Sequence, residues 1–157
     1  MSATSVATDA LLEVRNLRVA YRDQGTVVPI VDGASFTLRR GEALGLAGES
    51  GCGKTTTALA LLGLLPSGLR QIGGEVVLNS SRGVMLLHNR TPTGWRDMRW
   101  KTASIVFQGA MNALDPVMRI DRQIGEAIAL HEPGANADAR VAELLERVGI
   151  PSRRRQQ

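Results

Sequence analysis

Apolar and polar positions alternate along residues 11–21 (LLEVRNLRVAY) and again along residues 34–38, with β-branched side chains interspersed. A period of two puts one row of side chains on each face of a strand, so both stretches predict strands of an antiparallel layer. Pro29 has no N–H to give to a ladder, which makes residues 26–31 an edge strand or an irregular return. Residues 43–47 are apolar on both faces, as in a strand buried within a parallel sheet. A helix is predicted to begin near Lys54 and to continue into the apolar run 58–65, which Pro66 ends. Strands follow at 73–78 and 83–87, with a turn in the NSSRG stretch from Asn79. Residues 93–101 predict a short helix with Trp95 and Trp100 half-buried, and residues 103–107 a further strand. Beyond Gln108 the spacing becomes helical, at 120–130 and 137–148, and Gly149 with Pro151 supplies the stop for the second helix. The order of mixed strands, strand–loop–helix, more strands and then helices belongs to the α/β class.

At 157 residues the chain has the length of one ordinary domain. Hydrophobic residues make up 43% and charged residues 22%, which excludes a disordered acidic chain. Aromatics are only 3%, so Leu, Val, Ile and Ala are expected to form the core. No apolar run approaches the roughly 20 residues of a membrane-spanning helix. Residues 1–10 carry no basic residue ahead of their weakly apolar stretch and predict a flexible tail, not a secretory signal. Cys52 is the single cysteine, so no internal disulfide can form and a reducing compartment is expected. The formal charge of +4 raises the question of nucleic acid. Part of that excess lies in Arg153, Arg154 and Arg155, which read as a solvated tail. With no aromatic platform, zinc ligand set or helix-turn-helix beside them, no nucleic acid is expected as a partner.

The most informative stretch is GESGCGKTTT, residues 48–57. Gly48, Gly53, Lys54 and Thr55 meet the pattern G-x-x-x-x-G-K-[ST] between a predicted strand and a predicted helix, the context of a phosphate-binding loop. Gly48, Gly51 and Gly53 free the backbone to turn successive N–H groups into one concavity, with Ser50 and Cys52 between them. The first turn of the helix adds unpaired N–H groups and the positive end of its dipole. Lys54 is expected to reach the outer phosphates, the Thr55 hydroxyl to ligate Mg2+, and Thr56 to add a donor. Cys52 is expected to serve through its N–H, its thiol being open to alkylation.

The neighbours of this loop decide among nucleotide machines. The approach LRRGEALGLAGESGCGKTT (38–56), the stretch IVFQGAMNALDPVMRI (105–120) and LLERVGIP (144–151) resemble the ATP-binding subunit of ABC transporters, within it the oligopeptide and dipeptide importer branch. The resemblance implies an ABC-type P-loop NTPase core with an N-terminal antiparallel β layer and the start of a helical subdomain. It implies ATP and Mg2+ as cofactors, and a function that couples ATP binding and hydrolysis to uptake of peptides or similar solutes. By the same resemblance Tyr21 stacks on adenine, where by itself it is equally an ordinary sheet tyrosine. Gln108 senses magnesium and γ-phosphate. The Gln108 to Ile120 region faces transmembrane permease subunits, although periodicity leaves Met111, Leu114 and Val117 open to a core role. A second ATP-binding subunit is the other implied partner, and the implied location is cytoplasmic, peripheral on the inner face of the cell membrane.

The resemblance is incomplete. An ABC ATPase requires an apolar strand ending in Asp and then Glu, the latter as general base on the attacking water. Here the candidate runs end at Asn79, His88 and Gln108. The LSGGQ signature is also absent from the sequence, and His88 and His131 read as surface or turn residues. The chain is therefore expected to be cut short of the signature, to bind ATP without turning it over, and to expose a sheet edge. The expected organisation is a tail at 1–10, a partial nucleotide-binding core at 11–108, and the start of a helical subdomain with a basic end at 109–157. The alternative is a non-hydrolytic nucleotide-binding or regulatory protein functional at this length.

Overall fold

The computed structural model describes residues 9–23, 25–81, 83–87, 91–109, 114–151 and 154. The chain divides into two compact units, Met1–Ala103 and Ser104–Gln157.

The first unit is built on four strands, β1 (Ala10–Asp23), β2 (Thr26–Arg39), β3 (Leu69–Ser80) and β4 (Gly83–Leu86), in the antiparallel order β2-β1-β3-β4. The alternating stretch 11–21 becomes β1, which pairs on both sides and so carries the core: Leu17, Val19 and Ala20 are fully buried, and Val14, Val76 and Val77 nearly so. Asn16, with φ of 51°, kinks β1 where its register slips against both neighbours, and its N–H donates to Ser35 Oγ at 2.8 Å. Asn is among the few residues that tolerate this left-handed conformation.

The segments 26–31 and 34–38, read separately from the sequence, form one edge strand. Pro29 lies opposite Ala20 without interrupting it, because an edge strand has an outward side on which a missing N–H costs no ladder bond. The strand expected at 73–78 lies within β3, which begins earlier where Leu69 pairs with Tyr21, and the strand expected at 83–87 becomes β4, which ends one residue sooner at Leu86. Between β2 and β3 runs helix α1 (Lys54–Leu61), and after β4 comes α2 (Pro92–Met98). Thr91 caps α2 by accepting from Gly94 N–H at 3.2 Å, and Pro92 occupies the first turn, where a missing donor is harmless.

Two predicted strands are corrected. Residues 42–49 have no regular structure, and of residues 103–107 only Ala103 makes a bridge, to Arg99. A strand exists through its ladder, and no other described strand pairs with either run. Leu44 and Leu46 accordingly stand 45% and 47% exposed, and Val106 90%. Trp100 is also corrected: it is 60% exposed, with φ of 69°, because α2 ends at Met98 and the chain turns there.

The second unit is a helical pair, α3 (Ile120–His131) and α4 (Ala137–Arg147), close to the predicted bounds. Ile128, Val141 and Leu145 form its core, flanked by Ile120, Ile124, Ala137 and Leu144. Asn136 caps α4 by accepting from Ala139 N–H at 3.1 Å. At its far end the N–H groups of Gly149 and Ile150 donate to Glu146 O at 3.0 Å and Leu145 O at 2.9 Å, the glycine-type stop predicted from Gly149. Among the described residues no helix is long and apolar enough to cross a membrane.

Candidate functional site

The loop 48–53 leads straight into α1. Gly53 is the residue before the helix, with φ of 93°, and a Cβ placed there would lie 2.8 Å from Ile30 O and 3.2 Å from Val31 Cγ2. Glycine alone lets the chain enter the helix while pressed this closely on β2. The first helical hydrogen bond runs from Thr57 N–H to Gly53 O at 2.8 Å, and the buried Thr57 hydroxyl donates to the same oxygen at 2.9 Å. The amides of Lys54, Thr55 and Thr56 therefore have no acceptor within the helix. No side chain caps this end and no acidic residue lies in the first turn, so the positive end of α1 stands open to an anion.

Lys54 folds back over the loop. Its Nζ donates to Gly48 O at 2.8 Å and Glu49 O at 2.7 Å, and reaches Cys52 Sγ at 3.3 Å. An ammonium has three protons to donate, and all are placed. Sulfur is the weakest of these acceptors, so an approaching phosphate oxygen displaces that contact at least cost. The Cys52 N–H, expected to face a ligand, donates instead to Glu49 O at a long 3.3 Å. The thiol lies over Gly48, where a Cβ would come within 2.8 Å of Sγ. Ser50, Gly51, Cys52 and Thr55 are exposed, and Thr56 is half-buried.

Beside the loop lies a hollow of about 420 Å3, walled by Ile30, Phe36, Leu44 and Leu46 and reached by Lys54 and Thr57. Its walls are largely apolar and suit packed side chains. Oriented donors for an anion lie instead at the start of α1, among the amides of Lys54, Thr55 and Thr56.

The remaining candidates belong to other elements. Tyr21 is 41% exposed on β1, between Val28 and Leu69, and its ring rests on Gly68, where a Cβ would meet Cε2 at 2.5 Å. Gln108 belongs to the second unit, in an exposed turn. Residues 110–113 of the expected permease-facing segment, and His88, lie outside the described residues. For the metal, Thr55 offers one exposed hydroxyl. Among the described residues no group of three or more His, Cys, Asp or Glu could hold an ion. The donor set thus fits the phosphates, and Mg2+ only as an ion those phosphates carry with them.

Sequence reasoning missed some residues that shape the site. Thr57 sits in a threonine run whose members look alike until burial separates them. Arg99 bonds the end of α1 across 37 and 36 residues of sequence, a separation that leaves no local signal.

An antiparallel layer beside a glycine-rich loop and a helix with an open positive end has the form of a phosphate-binding P-loop unit. The family model for ABC transporters matches residues 31–157. The chain belongs to the ABC transporter family. It is 42% identical over 149 residues to a Brucella abortus protein named "Putative peptide import ATP-binding protein", covering 94% of this chain and 44% of that one. It is 37% identical over 163 residues to the oligopeptide transport ATP-binding protein OppD of Salmonella typhimurium, covering 99% and 47%. For OppD of Lactococcus lactis subsp. cremoris the figures are 34% over 150 residues, 94% and 43%. The chain thus spans less than half the length of these relatives.

Proposed function

We propose that this chain is the nucleotide-gripping part of an importer's ATP-binding subunit, holding ATP with its Mg2+ on residues 48–56. The carrying observation is the start of α1, where the amides of Lys54, Thr55 and Thr56 are free, no acidic residue intervenes, and Lys54 is held across the loop. In this reading Gly48, Ser50, Gly51, Cys52 and Gly53 shape the cradle. Lys54 neutralises the outer phosphates, Thr55 ligates the metal, Thr56 adds a donor, Tyr21 stacks on adenine, and Gln108 senses magnesium and γ-phosphate. Residues 11–108 supply the nucleotide-binding part, and residues from 109 begin a helical subdomain. The region from Gln108 to Ile120 contacts membrane permease subunits, and a second ATP-binding subunit completes the machine at the cytoplasmic face of the membrane. The names of the relatives support peptides as the solute class.

The sequence offers no Asp-Glu pair at the end of an apolar run, so by itself the chain binds ATP and does not turn it over. Titration of the purified chain with ATP and Mg2+ tests this. Lys54→Ala should weaken binding about 10- to 100-fold, the worth of one charge-assisted hydrogen bond. Equal affinity in wild type and variant, or steady phosphate release by the wild type, would contradict the reading.

A further inference from the structure

The far end of α1 carries a second device. The helix closes in a glycine cap, with Gly63 (φ 60°) donating to Ala60 O at 3.1 Å and Leu64 N–H to Leu59 O at 2.9 Å. The carbonyls of Leu62 and Gly63 then accept from one side chain. Arg99 Nε donates to Leu62 O at 2.8 Å and Arg99 Nη2 to Gly63 O at 2.6 Å. The Arg99 guanidinium lies 5.7 Å from the centre of the Trp95 ring. That indole occupies the space a Cβ on Gly63 would need. Both side chains come from α2 and the residue after it, and the fully buried Met98 between them holds that segment down.

α1 has only 8 residues and no basic residue in its last turn. A helix this short is marginal in isolation, so contacts at its ends decide where it points. At its start it is pressed on β2 through Gly53; at its end it is held by Arg99, which also places a cation on the negative end of its dipole. Two turns span about 12 Å, so a tilt of about 10° about one end shifts the other by about 2 Å. Hydrogen bonds to a phosphate tolerate a few tenths of an ångström.

We propose that Arg99, clamped between the Trp95 ring and the carbonyls of Leu62 and Gly63, is a positioning residue for the phosphate loop, setting the direction of the Lys54, Thr55 and Thr56 amides from the opposite end of α1. The proposal rests on the ATP-binding reading above. Its chemistry is specific to arginine. A guanidinium forms two bonds at fixed angles and stacks on an indole, whereas a lysine ammonium supplies the charge without the fork.

The test compares the 157-residue chain with Arg99→Gln, Arg99→Lys and Trp95→Phe, with Val19→Ala as a destabilised control in the sheet core. Three quantities are read: the Kd for ATP with Mg2+, the urea midpoint, and amide exchange at Leu62, Gly63 and Leu64. Arg99→Gln should speed exchange at those amides and raise the Kd about 3- to 10-fold. Arg99→Lys should fall between it and the wild type, and Trp95→Phe should raise the Kd less than Arg99→Gln. Val19→Ala should lower the urea midpoint while leaving the Kd within about twofold of the wild type. The proposal is overturned if the Arg99 variants keep the wild-type Kd while their exchange quickens. It is overturned equally if the Kd follows the urea midpoint across all variants, Val19→Ala included. If the wild type binds no more tightly than Lys54→Ala, the ATP-binding reading itself has failed and takes the proposal with it.

Discussion

Gly53 shows how one residue joins two requirements. It must take a φ of 93° to start α1, and it must leave room for the Ile30 carbonyl, which a Cβ would approach to 2.8 Å. Gly53→Ala violates both, and strain of this kind costs about 1–3 kcal/mol. Thermal unfolding of that variant should begin several degrees below the wild type, and ATP affinity should fall with it, since the amides that follow are turned by the same dihedral. Lys54 is another instance. Its bonds to Gly48 O and Glu49 O mean that the cation is in place before any ligand arrives, and only the Cys52 contact has to be given up. The pattern G-x-x-x-x-G-K-T was legible in the sequence because its residue types are chosen by backbone chemistry local to the loop. The pairing of the Cys52 thiol with Lys54 was not legible, since it depends on how the side chain folds back.

At the scale of elements, α3 and α4 are the clearest success of periodicity: apolar positions at helical spacing became the buried face of Ile128, Val141 and Leu145. Their exposed side is tied by Arg140, which meets Glu143 at 2.7 Å and Glu132 at 3.2 Å, while Arg147 meets Glu143 at 3.1 Å. The hydrogen bond from Arg140, helped by the charges of Arg140 and Arg147, holds the Glu143 carboxyl below its ordinary value of 4.5. A depressed folded-state pKa stabilises the fold above the unfolded value and loses that contribution as protons return. The urea midpoint of the helical unit should therefore be flat from neutral pH down to about 5 and decline as the pH falls through and below 4.5. In Glu143→Gln the decline should be shallower, with a lower midpoint at neutral pH. The pairs are exposed, so added salt should narrow the difference between the two proteins. In the first unit, residues 43–47 and 103–107 have the composition of buried strands, yet composition cannot supply the neighbouring backbone that a ladder requires.

The whole molecule bears the consequence. β2 is an edge strand of 14 residues, with Val27, Val28 and Ile30 at least 36% exposed, and Leu44, Leu46, Val106 and Phe107 lie open as well. Exposed apolar side chains along an edge strand and beside it favour association with other chains, and Pro29 and Asp32 blunt only part of this edge. The purified chain should self-associate with rising concentration, giving a sedimentation coefficient that climbs through the micromolar range. Replacing Val28 by Lys on the edge strand should reduce that association. A sedimentation coefficient independent of concentration would contradict this expectation.

The sequence by itself determined what depends on near neighbours along the chain: the alternation that makes β1, the helical spacing of α3 and α4, the glycines and lysine of the loop, and the family those motifs belong to. Tertiary structure decided what depends on residues far apart. It merged the segments on either side of Asp32 into one strand, left two apolar runs outside the sheet, seated Tyr21 on Gly68, and brought Arg99 to the end of α1. The physical reason is range. Dihedral preference and side-chain period act over a few residues, whereas a ladder partner or a capping cation is supplied by whichever distant segment the fold carries there.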